Sequence, residues 1–219
     1  MRIACIGYRD WAMNIYDRLA ETYDDTFLII RSKAQYNEEV IKDFQPNLVL
    51  FYGWSWRIPE QLLKDFSCLM LHPSPLPKYR GGSPIQNQII EGHKESMVSI
   101  FVMNNEMDAG DIVAQEYLSL DGELSEIFSR LEETGFRLTE RILSNGLNPA
   151  PQDHDKATYC KRRNPEDSEI TIEEFSDENS EYLYNKIRML ADPYPNAFFR
   201  TRDGRKLVFK LVEIKDDNC

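Results

Sequence analysis

Residues 47 to 71 read Asn47-Leu-Val-Leu-Phe-Tyr52-Gly-Trp-Ser-Trp56-Arg-Ile-Pro59-Glu-Gln-Leu-Leu-Lys-Asp-Phe66-Ser-Cys68-Leu-Met-Leu71. Two short, mainly apolar runs, Asn47 to Tyr52 and Cys68 to Leu71, flank a helix-like stretch from Pro59 to Phe66. Runs this apolar suit strands buried on both faces, as in a parallel sheet with crossover helices. Proline is tolerated at the first position of such a helix. The same unit recurs on either side. Upstream, Arg2 to Gly7 and Thr26 to Ile30 read as strands, and Trp11 to Thr22 and Asn37 to Phe44 as helices. Downstream come a helix from Pro84 to Glu91, a strand from Met97 to Met103, and a long amphipathic helix from Leu124 to Leu143. The expected fold class is α/β, an open, doubly wound, mostly parallel, Rossmann-like sheet.

Between Gly146 and Pro165 the pattern gives way to a linker holding Pro149, Pro151 and Pro165 among polar residues. The expected division is a catalytic domain over 1–150 and a small C-terminal domain over 151–219. In the latter, Ser168 to Glu173 reads as a strand, Glu178 to Leu190 as a helix, and Ala197 to Glu213 as a hairpin turning at Arg202-Asp-Gly-Arg205. So small a piece is expected to pack on the first domain. The hairpin edge is a place where a homodimer could pair.

Lys and Arg number 26 against 37 Asp and Glu, a net charge of −11, which argues against a broad affinity for nucleic acid. The four cysteines, Cys5, Cys68, Cys160 and Cys219, share no close spacing, so neither a disulfide framework nor a metal site is expected. No run approaches the roughly 18 apolar residues of a membrane span. Charges at Arg2, Arg9 and Asp10 interrupt any signal-peptide core. The expectation is a cytoplasmic protein without a membrane partner. After the first strand, Gly7-Tyr-Arg-Asp10 carries one glycine where a dinucleotide site carries three, which argues against NAD.

The chemistry concentrates in Leu71-His72-Pro-Ser-Pro75-Leu-Pro-Lys-Tyr79-Arg80-Gly81-Gly82-Ser-Pro84, where four prolines and two glycines in fourteen residues make a stiff, shaped loop. It holds His72 just past a strand, where open parallel sheets place their sites. A second stretch, Asn104-Asn-Glu-Met107-Asp108-Ala-Gly-Asp111, follows the next strand. A carboxylate beside an imidazole raises its basicity and fixes its tautomer, so Asp108 and His72 form a candidate acid–base pair.

The loop beginning at His72, followed at a matching interval by Met107-Asp-Ala-Gly-Asp111, resembles the signature of formyltransferases that use 10-formyltetrahydrofolate. Phe51-Tyr-Gly-Trp-Ser-Trp-Arg-Ile-Pro59 is similar to the segment lining their folate pocket. Lys161-Arg-Arg-Asn-Pro-Glu-Asp167 and Ile187-Arg-Met-Leu-Ala-Asp-Pro193-Tyr-Pro195 resemble the small C-terminal domain of members that act on sugars. The resemblance implies that a substrate amine attacks the formyl carbon, with His72 handling protons and Asp108 orienting it. It implies a reduced-folate subsite at Trp54, Trp56, Arg57, Ile58 and Met107, and an acceptor subsite at Pro75, Tyr79, Arg80, Gly81 and Gly82. Tyr52 joins the two tryptophans as aromatic neighbours for a flat pterin. The family carries an asparagine two residues before the histidine, as a donor to the formyl oxygen. Here that residue is Met70, which cannot donate; Asn104, Asn105 and Gln86 are the candidate side-chain replacements, with a backbone amide or an ordered water as equal alternatives.

The leading expectation is transfer to the amine of a nucleotide-linked amino sugar, because the net charge and short tail disfavour methionyl-tRNA, the alternative acceptor. A degenerate folate- or sugar-binding protein and a deformylating hydrolase are the readings from other classes.

Overall fold

The computed structural model describes residues 1–192 and 194–216; Pro193 and Cys219 lie outside the described residues. Six strands form one sheet in the order β2-β1-β3-β4-β6-β7. They are β1 (Arg2–Ile6), β2 (Thr26–Ile30), β3 (Leu48–Tyr52), β4 (Cys68–His72), β6 (Glu95–Val102) and β7 (Ile112–Ser119). The first four are mutually parallel, while β6 runs antiparallel to β4 and β7 antiparallel to β6. A short β5 (Arg80–Gly81) lies outside this sheet and pairs in parallel with β8 (Tyr159–Cys160).

Alternation along the strands sends successive side chains to opposite faces. Ile3, Cys5, Leu48, Leu50 and Tyr52 meet α1 (Asp10–Thr22) and α5 (Leu124–Asn145) through Ile15, Leu19 and Phe136. Ala4, Ile6, Val49 and Phe51 meet α2 (Glu38–Phe44) and α3 (Glu60–Asp65) through Ile41 and Leu62. Helices therefore cover both faces, as the sequence pattern predicts. Pro59 caps α3 rather than opening it.

Three parts differ from the sequence reading. The strand β7 was not foreseen: as an edge strand it is half-buried over Ile112 to Glu116, so no clean alternation marks it. Ser168 to Glu173 is not a strand but a 3-10 turn, Pro165–Ser168, leading into α6 (Ile172–Asp177). The cause is a capping box, in which Thr171 Oγ1 accepts from the Glu174 amide and the Glu174 carboxylate accepts from the Thr171 amide. A single bridge between Glu169 and Phe198 is what remains extended. The helix expected next is α7 (Ser180–Arg188), and the hairpin forms from β9 (Phe198–Arg200) and β10 (Lys206–Val208), with Gly204 left-handed at φ 83.

The linker is the third. Ala150 exchanges two backbone hydrogen bonds with Ile112, and Thr158 and Cys160 accept the amides of Arg80 and Gly82. Residues 150 to 160 are thus laced to β7 at one end and to the proline-rich loop at the other. The tail shares the main core through Ile170, Ile187, Met189, Leu190 and Ala197, and α7 packs on α4 (Pro84–Ile90). Among the described residues no helix is long and apolar enough to cross a membrane.

Candidate active site

A cleft of about 1370 Å³ opens beyond β1, β3 and β4, where the strand order reverses. The last residue of β4 is His72, whose ring is buried at 5 % exposure. Its Nε2 lies 2.8 Å from the Tyr79 carbonyl oxygen. A carbonyl can only accept, so Nε2 carries the proton and, in the neutral ring, Nδ1 is bare. Nδ1 faces Asp108 Oδ2 at 3.7 Å, beyond a hydrogen bond. Tyr79, through its backbone, is therefore the group that orients the imidazole, a task the sequence reading gave to Asp108.

Asp108 arrives by an unexpected route. Because β6 is antiparallel, Ser99 pairs with His72 and Val102 with Leu69, so β6 ends at the amino end of β4. The β6–β7 loop must fold back towards His72. Asp108 holds its place there in the left-handed region, φ 50, with Oδ2 accepting the Gly81 amide at 2.7 Å. Gly110 lets the loop return, since a Cβ there would sit 1.7 Å from the Val102 carbonyl oxygen. Gly81, at φ 109, would bring a Cβ within 2.4 Å of the Cys160 carbonyl oxygen. Tyr79 and Ser83 also adopt positive φ, so three of the four positive-φ non-glycine residues among those described lie around this site, Gln45 at the end of α2 being the fourth.

The five residues expected against the folate all line the cleft: Trp54, Trp56, Arg57, Ile58 and Met107. Trp56, 40 % exposed, packs on Trp54 and Tyr8 with ring centroids 4.7 and 4.9 Å away. Tyr52 does not join them. It is fully buried in the core, its hydroxyl 3.0 Å from Thr139 Oγ1. Of the residues expected against the acceptor, Gly81 and Gly82 line the cleft, whereas Pro75, Tyr79 and Arg80 do not. Tyr79 directs its hydroxyl to Glu91 and His93, and the Arg80 side chain is buried behind the loop. These three frame the site rather than face its space.

Met70 lines the cleft, as do Gln86, Asn104 and Asn105. Asn104 uses its side-chain oxygen to accept from the Glu106 amide. Gln86 is 4 % exposed, yet its Nε2 has no partner. Trp54 Nε1 and Arg163 Nε, also on the cleft wall, are likewise buried without partners. An unmet buried donor costs about 1–3 kcal/mol, so a wall holding three is shaped for a polar ligand. Charge agrees: Arg9, Arg57, Lys161, Arg162 and Arg163 line the cleft against two carboxylates, Glu106 and Asp108, in a chain of net charge −11. Cys160 is on the wall too, but burial raises its thiol pKa, with Asp108 adding to the shift and Asn87 opposing it. Among the described residues no group of three or more His, Cys, Asp or Glu could hold a metal ion.

Sequence reasoning missed Arg9, which follows β1 at the reversal of strand order, and Gln152, hidden in the linker. Position relative to the sheet was the signal for Arg9. Gln152 gave none.

A mostly parallel sheet ending in a buried histidine, an aspartate folded back beside it and a polar cleft make up the candidate site. A family model described as formyl transferase matches residues 10–142, and the chain belongs to that family. A second model, described as the C-terminal domain of methionyl-tRNA formyltransferase, matches residues 165–219. The methionyl-tRNA formyltransferase of Ehrlichia ruminantium (strain Welgevonden) is 32% identical over 187 residues, which is 83% of this chain and 59% of that protein. That of Halalkalibacterium halodurans is 33% identical over 177 residues, 77% and 54% respectively. The chain thus spans under two thirds of the length of these relatives. Among solved structures, a methionyl-tRNA formyltransferase from Clostridium thermocellum is 33% identical with a TM-score of 0.89, covering 98% of this chain and 94% of that one. A sugar N-formyltransferase from Shewanella sp FDAARGOS_354, 18% identical with a TM-score of 0.74 and 99% of both chains covered, shares the fold.

Proposed function

We propose that this chain is an N-formyltransferase that moves a formyl group from 10-formyltetrahydrofolate to a primary amine. The observation that carries this reading is the His72 geometry. With Nε2–H held by the Tyr79 carbonyl, Nδ1 is the nitrogen free to act, and Asp108 Oδ2 faces it at 3.7 Å. When bound, the reduced folate supplies an activated formyl group on nitrogen. His72 Nδ1 takes the proton that the attacking amine loses and returns it to the departing nitrogen, while Asp108 stabilises the imidazolium between the two transfers. Trp54, Trp56, Arg57, Ile58 and Met107 would hold the folate, and the three unpartnered donors make its polar edges a physical fit. Among the side chains able to stand in for the donor missing at Met70, Gln86 has an amide proton pair without an acceptor, which favours it for an oxygen of the bound substrates.

For the acceptor, the relatives favour methionyl-tRNA, contrary to the leading expectation from sequence, and a nucleic acid partner enters the reading. Arg9, Lys161, Arg162 and Arg163 would meet its phosphates. The nucleotide-linked amino sugar is the second reading, favoured by the net charge of −11 and the confinement of these cations to one cleft. Formate release or transfer from 10-formyltetrahydrofolate by the purified protein, measured alone, with methionyl-tRNA and with nucleotide-linked amino sugars, separates the cases. Turnover with methionyl-tRNA supports the first and with a sugar the second, while turnover without any amine supports a hydrolase. Folate binding with no turnover on any amine would leave a binding protein. The division into domains at 1–150 and 151–219 is part of the same proposal, as is pairing of two copies through the hairpin edge.

A further inference from the structure

Arg80 is 1 % exposed, and among the described residues no carboxylate lies within ion-pair distance of its guanidinium. Its donors go instead to Gln152 Oε1, at 3.2 Å from Nε and 2.7 Å from Nη2, to the Tyr159 hydroxyl at 3.1 Å and to His154 Nδ1 at 3.3 Å. Gln152 is itself 5 % exposed. Its Nε2 donates to the carbonyl oxygens of Asp108 at 2.9 Å and Gly110 at 2.7 Å. The amide therefore makes every hydrogen bond it can, two at the oxygen and two at the nitrogen. Turning it over would set N–H against guanidinium N–H and oxygen against two carbonyls, so its orientation is fixed.

We infer that Gln152 is a positioning residue for Asp108, a strut that transmits the fixed position of the Arg80 guanidinium to the backbone of the β6–β7 loop. The inference rests on the reading of His72 and Asp108 as the reacting pair. Adjacent residues of β5 hold Asp108 at both ends: Arg80 through Gln152 at its carbonyl, and Gly81 directly at its carboxylate. A non-glycine residue in the left-handed region persists where its surroundings over-determine it, and these are the contacts that do so.

The test is Gln152→Glu, which keeps two acceptors for Arg80 and adds the opposite charge, but has no N–H for the Asp108 and Gly110 carbonyls. The Gly81 amide, which donates to Asp108 Oδ2, reports on the aspartate without any substrate. Its hydrogen exchange should accelerate at least about tenfold in the variant while the β3 amides of Val49 and Leu50 keep their rates. With 10-formyltetrahydrofolate and methionyl-tRNA, kcat should fall at least about tenfold and the KM for folate stay within about twofold, since a misplaced catalytic group acts on the transition state. If Gln152→Glu does not fold, Arg80→Lys, which keeps a buried cation but loses the fork gripping Oε1, is read the same way. Unchanged Gly81 exchange in the folded variant would overturn the inference while inactivity of His72→Asn left the parent reading standing. An active His72→Asn would remove both.

Discussion

Replacing His72 by Asn separates two costs that the structure assigns to different nitrogens. The first belongs to Nδ1 and to the reaction. General acid–base work is commonly worth 10²–10⁴ in rate, or about 2.7–5.5 kcal/mol of barrier at 1.36 kcal/mol per factor of ten. The second belongs to Nε2 and to the fold. Its hydrogen bond to the Tyr79 carbonyl, 2.8 Å, is lost, and the Cys160 thiol at 3.6 Å is a weak substitute. A buried carbonyl left without a good donor costs about 1–3 kcal/mol, and the residual thiol contact places the loss near the lower end. For a domain of this size about 1 kcal/mol lowers Tm by about 2–4 °C. A thermal melt read with single-turnover formyl transfer at saturating folate therefore has a double expectation: a shift of a few degrees and a fall in rate of at least a hundredfold. Folate affinity should stay within about twofold, because the imidazole is not among the groups assigned to hold it. Retention of more than about a tenth of the wild-type rate would show that proton transfer runs elsewhere.

Asp108→Asn keeps an acceptor for the Gly81 amide but removes the charge facing Nδ1. Since Tyr79 already fixes the tautomer, kcat should fall by about 10², less than the 10⁴ seen where the acid also sets the tautomer, and a change below threefold would rule out the charge as a catalytic element. Gly110→Ala places a methyl group 1.7 Å from the Val102 carbonyl oxygen, so the loop must move; about 1–3 kcal/mol should be lost in urea unfolding, and an unchanged midpoint would contradict the packing. Glu174 is buried enough to raise its pKa, but the Lys186 ammonium at 2.5 Å and the Thr171 amide outweigh that, holding the carboxyl below its ordinary range. Its contribution is therefore complete above the ordinary carboxylate pKa and is lost as pH falls through the lowered value; Glu174→Gln should cost about 1–3 kcal/mol at neutral pH, and the Tm gap to wild type should close on acidification below about pH 4.

The sheet was legible because its inner strands are short apolar runs whose composition alone separates them from the helices between. Its edge was not. Residues of β7 are half-buried one after another, so period-two alternation is blurred there. Thr171 and Glu174 did carry a readable cap, and reading them would have turned the expected strand after Ser168 into the helix that forms. For the site, His72 and Asp108 stood out through a stiff loop and a matching interval, and the structure sets them side by side. What stayed hidden is carried by groups with no local signature: a backbone carbonyl at Tyr79, and a glutamine whose partners lie 72 and 44 residues away in sequence. Hydrogen bonds of that span follow from the closed fold and leave no periodicity behind.

The walls of the cleft come from separate stretches of chain. His72 and the tryptophan side are set by residues before 110 and Asp108 by Gly81 together with Gln152, whereas Lys161 to Pro165, Leu190, Tyr194 and Pro195 form much of the remaining wall. The two halves meet through the common core, the β5–β8 pairing and the hydrogen bonds from Gln152 to the Asp108 and Gly110 carbonyls. Among the described residues, Lys161 to Pro165, Leu190, Tyr194 and Pro195 make no hydrogen bond to His72 or Asp108, so side chains there can change while that pair keeps its contacts. In the proposed reading this leaves the choice of acceptor to the tail's side of the cleft while the chemistry stays with the other.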